Sequence, residues 1–231
     1  MFTIINNSPV LKEKNIVFRI FVAVLSIVSG VFIISPVISY FANGAFPLSE
    51  MPDNTAYYIL RGVFGISLTL AAAVYVVFKN VTVTAIPSFL GIVTSLIPLI
   101  YRINKYTDHK KFVEKFSMTA DYTSYLVGIG IYILFILLCL FTLLYALGFT
   151  PANLIVLIVS AVTITAVILI TIDRAKNIEF GIFNIYDILC FSYVAIAAII
   201  PALVVTSSKK RSSDEPKTPK RQKYQPKRMR S

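Results

Sequence analysis

Charged positions cut this chain into long apolar runs, and those runs are its first regularity. Residues 16–41 carry only Arg19, residues 56–78 carry only Arg61, and residues 81–101 carry no charge between Lys79 and Arg102. Between Asp121 and Asp173 lie 51 uncharged residues, more than two bilayer crossings at about 1.5 Å per helical residue. "GFTPAN" at 148–153 divides that stretch, since Gly ends helices and Pro suits the first turn of the next. It predicts helices at 125–147 and 152–172. A last run, 180–205, contains a single acid, Asp187. Stretches such as "LFILLCLFTLL" are apolar on every side, which excludes the alternating strands of a membrane barrel. The pattern predicts an all-α, polytopic membrane helix bundle of six transmembrane helices over residues 1–206.

Composition agrees. Hydrophobic residues are 57% of the chain, charged residues 14%, and mean hydropathy is +0.77; a soluble domain carries about 25% charge. Net charge is +11, and most of it sits in residues 207–231, where ten bases face Asp214 and Glu215. With three prolines and almost no aliphatic residue after Lys209, this tail is expected to be disordered. Its bases (Lys209, Lys210, Arg211, Lys217, Lys220, Arg221, Lys223, Lys227, Arg228 and Arg230) are expected to contact anionic lipid head groups, with a protein partner as the alternative. Nucleic acid is the least favoured partner, because an unstructured basic tract gives only sequence-blind attraction.

The distribution of Lys and Arg predicts a cell-membrane protein with both termini cytoplasmic: 14 bases fall inside and eight outside. The uncharged stretch 20–48 is too long for a cleavable signal and is read as a retained anchor, with Arg19 snorkelling to the interface. Tyr40, Tyr57, Tyr58, Tyr101, Tyr122, Tyr125 and Tyr186 are expected at the outer boundary. One loop opposes this orientation, 102–121 with five bases. It would face inward if residues 85–101, with Pro87 and Pro98, formed a re-entrant hairpin. Within that loop Asp108 is expected to cap a short helix presenting Phe112 and Phe116, or else the segment is a solvated linker.

Candidate chemistry is sparse. There is no phosphate-binding glycine loop and no His-Glu-x-x-His, and the one histidine, His109, is read as a solvated loop residue. Cys139 and Cys190 lack metal or disulfide spacing and are read as packing residues. No catalytic residue, metal or cofactor is expected, and the chain is not read as an enzyme. Arg61 and Asp187 are the informative charges: both lie inside spans, at similar depth below the same surface, and form a candidate substrate-binding pair. Gly65, Thr69 and Ala73, and likewise Ala161 and Thr165, recur at four-residue spacing and are read as helix contacts. Length and span count are similar to the membrane-embedded substrate-binding subunits of energy-coupling-factor transporters, a likeness of shape without a shared motif. Nothing is carried over from that likeness. A six-span bundle has enough helices to enclose a site to which Arg61 and Asp187 contribute polarity, so a small transport or transport-accessory subunit is expected. The alternative is a non-catalytic component of a larger membrane assembly, engaging other subunits through apolar helix faces and the tail.

Overall fold

The computed structural model describes residues 16–43, 55–78, 81–119, 122–149, 152–177, 188–200 and 202. The tail, Asp187 and Tyr186 lie outside them. Among the described residues every regular element is helical: α1 (Ile16–Asn43), α2 (Thr55–Phe78), a 3-10 turn (Val81–Thr84), α3 (Ala85–Lys115), α4 (Thr123–Ala146), α5 (Ala152–Asn177) and α6 (Ile188–Ile200). The first five are long and apolar enough to cross a membrane. The chain is thus a multi-pass membrane protein, and its outward apolar side chains, Val17, Phe21, Val24 and Val31 on α1 for example, contact lipid.

Consecutive helices pack as antiparallel neighbours, α1 on α2, α2 on α3, α3 on α4 and α4 on α5. The tightest approach is α1 to α2. A Cβ on Gly30 would strike the Thr69 hydroxyl and lie 2.9 Å from the Gly65 carbonyl; one on Gly65 would lie 2.6 Å from Ile34. Gly65 and Thr69 thus serve the close approach their spacing suggested. Ala73 is exposed, and so are Ala161 and Thr165, which corrects their reading as contacts. α5 instead buries Ala152, Val156, Ser160, Thr163 and Val167, a stripe shifted by one position.

α6 is the central post. None of its described residues is exposed, and Ile188, Cys190, Phe191 and Ala195 join a core with Ile33, Phe64, Leu99, Phe135 and Val167 from all five other helices. Both cysteines are buried and neither is bridged in a disulfide, as expected of packing residues.

The third element departs most from expectation. It does not stop near Tyr101 but runs unbroken for 31 residues, about 46 Å, so neither a hairpin nor a loop begins at Arg102. A hydrocarbon core of about 30 Å leaves roughly ten residues of it projecting. Asp108 lies inside this helix and caps nothing, while Phe112 and Phe116 touch at a ring separation of 4.7 Å. The helix ends at Ser117, whose φ of 52° allows Met118 N–H to reach Val113 O at 3.1 Å. α4 ends in the same hydrogen-bond pattern at Gly148, with φ 94° and Phe149 N–H on Leu144 O at 3.1 Å.

Candidate functional site

Arg61 lies within α2 and is buried, 5% exposed. Its Nε donates to the Ile33 carbonyl at 3.0 Å and an Nη to the Tyr57 hydroxyl at 3.0 Å. The Ile33 carbonyl already serves the α1 ladder, so Arg61 uses its second lone pair and ties α1 to α2. Tyr57 and Tyr58, expected at the lipid boundary, are only 2% exposed. They sit inside because one hydroxyl is needed by the guanidinium and the other ring stacks on Tyr40 at 3.9 Å.

Beside Arg61 is a chamber of about 30 Å³, room for roughly two waters, lined also by Thr94 and Ser95 of α3, Tyr132 of α4, and Cys190 and Phe191 of α6. Thr94 is 5% exposed, and its Oγ1 is buried with no hydrogen-bond partner among the described residues. Ser160 Oγ of α5 is in the same state, but it lines neither this chamber nor the second one described below. Ser29, Thr69, Thr142 and Thr163 all donate back to the carbonyl four residues earlier, at 2.7 to 3.0 Å.

One turn beyond Pro98 and two beyond Ser95, Arg102 is also buried, 5% exposed, with its guanidinium 5.5 Å from the centroid of the Tyr132 ring. Sequence reasoning placed Arg102 in a loop and missed it, because the first charge after an apolar run was taken as the end of the helix. Its spacing of seven and eight residues from Ser95 and Thr94 was the available signal. His109, read as a loop residue, is helical and half-buried, stacked on Tyr125 at 5.5 Å and meeting Tyr122 edge-on at 6.0 Å.

Asp187, the expected partner of Arg61, lies outside the described residues. The next residue, Ile188, is buried in the core, and Cys190 and Phe191 line the Arg61 chamber. Toward the opposite end of the bundle lies a second chamber of about 80 Å³, lined by Val22, Leu68, Pro87, Tyr145, Val194 and Ala198 among others. Phe64 lines both chambers. Near this end Arg19 is buried rather than snorkelling: one Nη donates to Val76 O at 2.8 Å, while its Nε has no partner among the described residues. Among the described residues no group of His, Cys, Asp or Glu is arranged to hold a metal ion. Comparison with protein-family models, with curated proteins and with solved structures returns no match.

Proposed function

We propose that the protein is a small transport or transport-accessory subunit that holds an acidic group of its ligand in the Arg61 chamber. The observation that carries this reading is the conjunction of a buried guanidinium with an unpartnered Thr94 hydroxyl on one cavity inside a membrane bundle. Charge inside a bilayer is costly, and a polar cavity reached by it marks a ligand path more readily than a packing need. Asp187, the residue before Ile188 in the sequence, is the proposed counter-charge to Arg61 when no ligand is bound, and the ligand's acidic group takes its place. The setting proposed is the cell membrane with both termini cytoplasmic and the basic tail on anionic lipid.

A second reading, a non-catalytic component of a larger assembly, draws on α5. It is the least enclosed of the spans, with 22% of its apolar window buried, and offers a face for another subunit. Purification in mild detergent separates the two. A lone protein whose melting temperature rises with small carboxylates, and no longer does so as Arg61→Gln, supports the ligand-binding subunit. Stoichiometric co-purifying membrane subunits together with no such shift support the assembly.

A further inference from the structure

The two chambers lie along one axis. From the Arg61 end toward the Arg19 end, α3 contributes Thr94 and Ser95 to the first chamber and Pro87 and Ser88 to the second. α4 contributes Tyr132 and Phe135, then Cys139 and Thr142; α6 contributes Cys190 and Phe191, then Val194 and Ala198. Each helix thus passes from one chamber to the other within about two turns. The Phe64 ring stands between them, in contact with Phe135 at a ring separation of 6.5 Å. Gly91 makes room for it: a Cβ there would lie 3.2 Å from Phe64 Cζ and 2.8 Å from Cys139 Sγ.

The chambers differ in chemistry. The first offers a guanidinium and the hydroxyls of Tyr57, Thr94, Ser95 and Tyr132, that of Thr94 with no partner among the described residues. The second, larger one is walled mainly by aliphatic and aromatic carbon. A ligand that matches both has an acidic head and a compact apolar tail. The volume limits the tail: about 80 Å³ is roughly half of an apolar cavity known to admit benzene, so a few carbons fit and a long acyl chain does not.

Resting on the acidic-ligand reading above, we propose that the ligand is a short-chain amphipathic carboxylic acid. Its carboxylate sits at Arg61 and Thr94, and its tail passes Phe64 into the apolar chamber. Thr94 Oγ1 donates to the carboxylate, which gives this hydroxyl a partner in place of the back-bond that Ser29, Thr69, Thr142 and Thr163 make.

The test is equilibrium binding of acetate, hexanoate and hexanol to the full chain in phosphatidylcholine nanodiscs, with empty nanodiscs subtracted. Hexanoate should bind at least about ten-fold tighter than acetate, because its additional methylenes leave water. Ala198→Leu, which fills the second chamber, should shrink that ratio toward one. Hexanoate and acetate binding equally would overturn the tail assignment while leaving the acidic-ligand reading intact. No binding of either acid would overturn both. Hexanol binding as tightly as hexanoate would overturn the role of the head group. The three-ligand series on the unaltered chain decides the matter even if Ala198→Leu does not fold.

Discussion

Arg61 and Arg19 are buried to the same degree, 5% exposed, near opposite ends of the bundle. Arg61 is held by an α1 carbonyl and a tyrosine hydroxyl and borders a polar chamber. Arg19 has one bond to a carbonyl on α2, leaves its Nε unpartnered, and sits one turn before Val22, which lines the apolar chamber. Equal burial therefore hides unequal roles. A guanidinium with fitted acceptors has been built into the fold, whereas one with a stranded donor is tolerated near the mouth of the bundle, where its charge neighbours the interface.

The contrast predicts its own largest effect. Arg61→Met removes at least two charge-assisted bonds from inside the bundle, those to the Ile33 carbonyl and the Tyr57 hydroxyl, so it should destabilise the bundle by on the order of 3 kcal/mol. Arg19→Met removes one bond and one unsatisfied donor and should cost about 1 kcal/mol or less. Unfolding in mixed micelles measures both, and equal losses would break the comparison. The same assay tests the proposed counter-charge. Arg61→Asp with Asp187→Arg should recover part of what either single change loses; a double variant no better than the singles removes Asp187 from the site.

Much of this fold was legible in the sequence, and where it was not the reason is specific. α4's end is announced by Gly148, which takes the left-handed conformation without a Cβ clash, and in the sequence by the proline that precedes Ala152, where α5 begins. α3 ends in the same hydrogen-bond pattern, but at Ser117, a residue with no such signature. Lys, Arg and Glu propagate helices well, so a helix crosses the end of its apolar stretch without a break. Charge marks where the bilayer ends; only backbone chemistry marks where the helix ends. Conflating the two hid Arg102 and misplaced His109. Arg61 was recognisable as a lone charge within an apolar run. Thr94 was not, because an intrahelical threonine ordinarily satisfies itself, and only packing reveals one that does not.

The boundary between the chambers supplies a smaller effect. Gly91→Ala places a methyl group against Cys139 Sγ and the Phe64 ring, and should cost about 1–2 kcal/mol in the same unfolding assay. Adding Cys139→Ala should return at least about 0.5 kcal/mol, since the thiol is the nearer obstacle. No recovery would place the conflict on Phe64, and Gly91 would then be required by the ring that divides the two chambers rather than by the α3–α4 approach.

The smallest effect on stability should carry the sharpest information. Thr94→Val keeps the shape of the side chain and deletes a buried hydroxyl that has no partner, so stability should hold or rise by up to about 1 kcal/mol. Thr163→Val is the control. Its hydroxyl donates to Val159 O at 2.7 Å, and its loss should cost roughly 0.5–1 kcal/mol. Carboxylate binding should move the other way, falling several-fold in Thr94→Val and not at all in Thr163→Val. A protein keeps an unsatisfied polar atom in its core only against a steady penalty, and Thr94 bears it where the buried Arg61 guanidinium lines a cavity. If Thr94→Val leaves both stability and carboxylate binding unchanged, the hydroxyl serves no ligand, and the Arg61 end loses the feature that most separates it from the Arg19 end.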